Sequence, residues 1–408
     1  MSRDRDKKLN ILLVSWTWFP TGGDWTYVEN MRKLYESAGH NVIHFSSKDT
    51  RNTQSKYSKY FFDKYAGSPM NPVSLIRNLN AIARKLKALV KDNNIDVAHL
   101  NNLNHYSANT ILTVLNKNKI PVIWTIHDYK FICSLTSFYR GTTHCEKCMN
   151  GKFYNIAKYR CKEGNFAASA TAALQNYYFR YRKIYDRCDT FICPSEFVRQ
   201  KFIENGFDEK KLITINHFIE NTQVTPARAK EPYIAYFGRV EKLKGVHTLV
   251  DAVSQLPEVK LKIIGGGTMV NELKEKFIIN NIKNIELTGY KKHDEALDMI
   301  AQSKFAVIPS EYFETFGFTA IEAMHAGRPV IVSKMGSLSE LVTEGENGML
   351  FNAGSVSELK SKIEMLYNDG AMLEKMSKNA KAFAEKYTAR EQYYLSVRQI
   401  FEQLNLLN

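Results

Sequence analysis

The chain has 408 residues, of which 44% are hydrophobic, 24% charged and 12% aromatic, with 6 Cys. That mixture excludes a disordered protein, a fibrous repeat and a small disulfide scaffold, and the length favours two domains over one. The formal charge of +14 is confined to the first half, since residues 1–220 carry 33 Lys+Arg against 19 Asp+Glu while residues 221–408 carry 23 of each.

In chain order, the charged start Met1–Lys8 and the short apolar run Leu9–Val14 do not make a secretory leader. No stretch approaches the roughly 18 apolar residues of a membrane span, so a cytosolic location is expected. Leu9–Ser15 forms the first expected strand, followed by a helix over Trp25–Ala38 and a strand over Asn41–Phe45. A helix over Ser74–Val90, a strand over Asp96–Leu100, a helix over Tyr106–Leu115 and strands over Val122–Ile126 and Thr190–Cys193 complete this block. These apolar runs do not alternate, which is the pattern of parallel strands covered on both faces. The polar stretch Ile219–Glu231, with its Thr-Pro and Glu-Pro steps, reads as a linker.

The second block repeats the theme. Strands are expected over Tyr233–Phe237, Lys260–Ile264, Ile285–Leu287, Phe305–Ile308 and Val330–Val332, with helices near 246–256, 268–279, 294–302 and 318–326. No strand is expected after about Leu350, and residues 355–406 read as three helices. The fold class is therefore α/β, with two doubly wound domains. Ligands of such sheets sit at the carboxyl ends of the strands, and two such domains share a cleft.

The densest motif, Pro309–Ile331, follows a strand with a loop carrying Glu314 and then a helix from about Gly317 carrying Glu322. The two carboxylates are about two helical turns apart and can share one face, where each is suited to accept hydrogen bonds from vicinal hydroxyls. Backbone N–H groups of Phe316, Gly317 and Phe318 are free at the helix start and suit a phosphate or sugar oxygen. Isolated, two such Glu are more simply solvated charges; the strand, glycine and helix around them favour a site. Another strand end leads into Phe237–Val246, whose Arg239 and Lys244 read by themselves as a solvated basic turn. The triple glycine Gly265-Gly266-Gly267 fits any tight turn.

In the first half, Phe19-Pro20-Thr21-Gly22-Gly23-Asp24 leads from strand to helix, and Gly22-Gly23 permits close backbone approach. Ile123–Tyr129 ends a strand with His127-Asp128 directed at the cleft. His44, His99 and His105 have no such context and read as structural or solvated.

Together these segments resemble the retaining nucleotide-sugar glycosyltransferases of family 4, whose fold is called GT-B, through the E-x7-E pattern of Glu314 and Glu322. The likeness covers 233–351 without departure, including Leu287-Thr288-Gly289-Tyr290 and Gly336–Val342. It implies an acceptor-binding domain over 1–220, a donor-binding domain over 232–385, and a terminal helix within 386–408 packing back on the first domain. It also implies that His127, Arg239, Lys244 and Glu314 are catalytic. Gly22, Gly23, Gly265, Gly266, Tyr290, Phe316, Gly317, Phe318 and Glu322 would bind the donor, with Glu322 on the ribose and Glu314 on the transferred sugar. Asp24 and Trp25 differ from the commonest family residues. With Arg239 and Lys244 substituting for a divalent cation, and no Asp-x-Asp in the cleft segments, a reaction without a catalytic metal or other cofactor is expected, by same-face attack assisted by the departing phosphate.

The segment Phe131–Gly164 departs from a minimal family member. It holds Cys133, Cys145, Cys148 and Cys161 at C-x11-C-x2-C-x12-C, a spacing that suits structural zinc, free thiols or a redox pair. Cys188 and Cys193 flank a strand and read as buried thiols. Residues 176–187 interleave Tyr and Phe with Arg180, Arg182, Lys183 and Arg187. As a helix this suits an anionic membrane surface, single-stranded nucleic acid, or a half-buried domain edge.

The expected function is hexosyl transfer from a UDP- or GDP-sugar to a lipid-linked or polysaccharide acceptor of the cell envelope. The protein would sit peripherally on the cytoplasmic membrane face, without a nucleic-acid partner. The alternatives are another enzyme of the same fold, such as a sugar-nucleotide epimerase, or a basic nucleic-acid-binding protein.

Overall fold

The computed structural model describes residues 7–20, 22–64, 72–219 and 231–407. The first residues of the charged start, Thr21, and residues 220–230 of the expected linker lie outside the described residues. The strands are β1 (Asn10–Val14), β2 (Asn41–Phe45), β3 (Val97–Leu100), β4 (Val122–Thr125), β5 (Tyr139–Arg140), β6 (Thr143–His144), β7 (Thr190–Cys193), β8 (Leu212–Thr214), β9 (Ile234–Phe237), β10 (Leu261–Ile264), β11 (Ile285–Gly289), β12 (Ala306–Ile308), β13 (Val330–Ser333) and β14 (Gly348–Phe351). They form a sheet of order β2-β1-β3-β4-β7-β8, a sheet of order β11-β10-β9-β12-β13-β14, and the small hairpin β5-β6. Among the described residues every strand pairing within the two large sheets is parallel, and both order reversals occur beside the sheet's first strand in sequence.

Burial explains the unbroken apolar runs. All four residues of β3, β4 and β7 are buried. In the second sheet the period of two divides each strand between two cores. Ile234 and Tyr236 face one, with Ile263, Val307 and Ile331; Tyr233 and Ala235 face the other, with Ile264, Ala306, Ile308, Val330 and Val332.

The three expected C-terminal helices are Val356–Asn368, Gly370–Tyr387 and Arg390–Gln403. The last leaves the second sheet and completes the first core with Tyr393, Val397, Ile400 and Phe401. Tyr393 Oη lies 2.6 Å from Tyr27 Oη, and Tyr394 Oη lies 2.9 Å from His40 Nε2. The two Rossmann-like sheets with this returning helix constitute the GT-B architecture.

Three local expectations are corrected. Strand β14 lies where no strand was expected, and β8 was missed; both are short edge strands, and β14 opens on Gly348, against whose added Cβ the Val330 carbonyl oxygen would stand at 2.4 Å. The helix expected across 176–187 ends at Tyr181, because Lys183 adopts φ 47 and breaks the helical path. Arg180 is solvent-exposed but tied down, its guanidinium donating to Asn205 O at 3.1 Å and lying against Gly151 and Gly206.

Candidate active site

The order of the second sheet reverses between β9 and β12, and a crevice opens at their carboxyl ends. Lys244 follows β9 and Glu314 follows β12, so the topology brings together residues 70 apart in sequence. Their loops touch at Gly245, where φ is 67 and a Cβ would stand 1.9 Å from Pro309 O. Only glycine permits that approach. Gly265 (φ 146) is equally confined against Gly238 O, whereas an added Cβ at Gly266 would meet open space.

Lys244 Nζ donates to Glu314 Oε1 at 2.7 Å and to Tyr312 Oη at 3.0 Å. Tyr312 in turn donates to Glu314 Oε2 at 2.6 Å, and Ser310 Oγ donates to Glu314 Oε1 at 2.7 Å. Burial alone would raise the Glu314 pKa, but the Lys244 charge and these hydrogen bonds together hold it below the ordinary carboxylate range. Burial and the neighbouring Glu314 charge keep the Tyr312 phenol protonated, as its donor role requires. Tyr312 and Ser310 were missed in the sequence, although both lie inside the quoted motif.

Glu322 stands on the helix Phe318–His325 in a different environment. Among the described residues its carboxylate has one partner, His293 Nε2 at 3.8 Å, and burial pushes its pKa up to about 8. The two carboxylates of the motif are thus driven in opposite directions, one ionised and one largely protonated near neutrality. Arg239 is solvent-facing, with its guanidinium 2.9 Å from Glu241 Oε2. Tyr290 is 83% exposed. Phe316 is buried on His217, Phe318 and Tyr387. Gly317 (φ 87) precedes the helix, and the N–H groups of Gly317 and Phe318 have no acceptor among the described residues.

The first sheet faces this site from the other side. A Cβ on Gly23, in the first turn of the helix Gly23–Ser37, would meet Phe318 Cδ2 at 3.2 Å, while Gly22 before it (φ 127) borders open space. The His127 side chain is 4% exposed, with Nδ1 3.9 Å from Asp24. Its Nε2 lies 3.1 Å from Asn101 Oδ1, which accepts a hydrogen there and leaves Nδ1 as the lone-pair nitrogen. Burial lowers the His127 pKa more than Asp24 and Asp128 raise it, so the ring is neutral at pH 7. The His127 carbonyl also accepts from Thr315 Oγ1 at 3.2 Å. His99 is wholly buried between Tyr35 and Thr125, a structural role as expected.

The four clustered cysteines are free thiols, with Cys133 and Cys148 buried and Cys145 and Cys161 partly exposed. After burial, the charges of the other three raise the Cys148 pKa to about 12, so the thiols are neighbours. Among the described residues no group of three or more His, Cys, Asp or Glu is arranged to hold a metal ion.

Comparisons with known proteins bear on the family and the fold. Residues 21–223 match the family model described as Glycosyltransferase Family 4, and residues 218–383 the model described as Glycosyl transferases group 1. The chain is 30% identical to an uncharacterized glycosyltransferase of Methanocaldococcus jannaschii over 56% of its own length and 63% of that protein. It is 27% identical to the capsular polysaccharide biosynthesis glycosyltransferase CapM of Staphylococcus aureus over 48% of its own length and 56% of CapM. It therefore spans less than two thirds of these curated relatives. The crystal structure of Anabaena HepE in complex with UDP and glucose superposes with a TM-score of 0.70 at 17% identity, over 97% of this chain and 99% of that one, a likeness of fold. The two family models together span residues 21–383, and the chain is a family 4-like glycosyltransferase of GT-B fold.

Proposed function

We propose that the protein transfers a hexose from a nucleotide-diphosphate sugar to a polysaccharide or lipid-linked acceptor of the cell envelope, with retention of anomeric configuration. The observation that carries this reading is the Lys244–Glu314–Tyr312–Ser310 cluster at the β9/β12 crevice, facing His127 across the cleft. The Lys244 ammonium has three donors, two of them engaged by Glu314 and Tyr312. The third is available to the donor diphosphate, where positive charge stabilises the leaving group as the glycosidic bond breaks. Arg239, at the mouth of the same loop, adds a second cation, so no divalent ion is required for departure. Glu322 accepts the ribose hydroxyls, and the N–H groups of Gly317 and Phe318 meet a phosphate oxygen.

Glu314 has both oxygens engaged by three donors, which suits holding sugar hydroxyls better than forming a covalent bond to the anomeric carbon. Same-face attack follows, with the departing phosphate oxygen taking the acceptor proton. The UDP and glucose held by HepE, and the capsular role of CapM, support a UDP-sugar donor and a polysaccharide product. Thermal-shift titration with UDP, GDP and ADP tests the site: one nucleotide should stabilise the protein, and K244A should abolish that shift.

The helix Phe166–Tyr181 supports docking on an anionic membrane. Leu174 is 70%, Tyr178 50% and Tyr181 85% exposed, with the exposed cations Arg182 and Lys183 adjoining. No helix among the described residues is long and apolar enough to cross a membrane. The Cys cluster is proposed to take up structural zinc, its neighbouring thiols giving up their protons to the ion, and the Cys133 sulfur already accepts the backbone N–H groups of Leu135 and Phe138.

A further inference from the structure

Phe313 immediately precedes Glu314 in the loop after β12, yet its ring packs against the first core and not the second. Its centroid lies 4.1 Å from the His144 ring and 5.9 Å from that of Phe138, both in the Cys-rich insertion. Phe197, on the helix Glu196–Glu204, stands 4.6 Å away edge-on, and Lys201 Nζ lies 5.6 Å over the Phe313 face. Glu146 ties these walls together, 2.7 Å from Lys201 Nζ and 3.4 Å from His144 Nε2. The next two residues are gripped from the same side. Tyr129 Oη donates to Glu314 O at 3.4 Å, and Ser195 Oγ donates to Thr315 O at 2.9 Å. Glu340 of the second half also caps the helix Glu196–Glu204, accepting the N–H groups of Glu196 (3.1 Å) and Phe197.

We propose that Phe313 is a positioning residue: the insertion and the helix Glu196–Glu204 form an aromatic socket that seats Phe313 when the two halves close, and this seating fixes the Glu314 loop in its working geometry. The inference rests on the reading of Glu314 as the group that meets the transferred sugar. Edge-on aromatic contacts of this kind are directional, so they fix orientation as well as distance. A reacting group displaced by about 1 Å loses on the order of a hundredfold in rate. The insertion thereby acquires a task in catalysis without touching substrate.

The experiment measures kcat, donor KM and nucleoside-diphosphate affinity for F313A, F313Y and H144A, with solution X-ray scattering of each protein. F313A is expected to lose at least tenfold in kcat while nucleoside-diphosphate affinity stays within twofold, because Arg239, Lys244 and Glu322, which meet the diphosphate and ribose, all lie in the second half. F313Y should retain most activity, and H144A, which alters only the opposite wall, should show the same kcat loss in weaker form. Scattering should show a larger radius of gyration for F313A than for the unaltered protein. An unchanged kcat in F313A, or equal losses of kcat and nucleotide affinity, would overturn the proposal. Should the unaltered protein turn over no nucleotide sugar, the functional reading fails, and an unchanged radius of gyration in F313A would separately overturn the socket.

Discussion

Lys244 Nζ and Glu314 Oε1 are 2.7 Å apart, joining the loops that leave neighbouring strands β9 and β12. Each side chain is mostly buried, and the Lys244 charge helps to keep the Glu314 carboxylate ionised. K244A leaves a buried carboxylate without its cation, a change that destabilises by roughly 3–5 kcal/mol and removes leaving-group stabilisation worth roughly 100- to 1000-fold in kcat. The pair K244M/E314Q should recover most of the stability, by denaturant unfolding, while turnover stays absent. Because the folded Glu314 pKa lies below its unfolded value, its contribution to stability is present above the ordinary carboxylate range and is lost as pH falls through the folded pKa.

Glu322 carries the opposite sign. With a folded pKa of about 8, the folded state binds more protons than the unfolded state between the ordinary carboxylate range and pH 8, so stability falls as pH rises through that window. E322Q should therefore unfold at a higher temperature than the unaltered protein at pH 8, with little difference at pH 4. Hydrogen bonds from ribose hydroxyls favour the ionised carboxylate, so nucleotide affinity should strengthen by about tenfold between pH 7 and pH 9. Calorimetric titration across that range checks both the direction and its absence in E322Q.

The Phe166–Tyr181 face and its cations predict binding to vesicles containing anionic lipid, weakening with salt. Each cation near such a surface contributes about 1 kcal/mol, so R182Q/K183Q should lower vesicle affinity by roughly thirtyfold. Arg180 is excluded from that set because its guanidinium is committed to Asn205. Vesicle co-sedimentation measures the loss.

Metal analysis of the purified protein should find close to one zinc per chain, falling in C145S/C148S. A value below about half an equivalent would show that packing alone organises the insertion.

The sheets and their motifs were legible because their physics is local. Buried parallel strands write continuous apolar runs, and loops that meet as closely as those of Gly245 and Pro309 require glycine. Edge strands β8 and β14 escaped because three or four residues with little alternation carry almost no periodic signal. Tyr312 and Ser310 escaped for another reason: their role is set by hydrogen bonds to Glu314 that no spacing rule encodes. The socket around Phe313 lay furthest from view. Its walls come from residues 138, 144, 197 and 201, in the other half of the chain from position 313.

The most direct test of the central claim is release of nucleoside diphosphate from a panel of UDP-, GDP- and ADP-hexoses, measured for the unaltered protein, E314A and K244A. The account predicts turnover of at least one donor, strongest with a UDP-sugar, and its loss in both variants. Turnover that survives both substitutions, or no turnover alongside tight, salt-sensitive binding to nucleic acid, would contradict it.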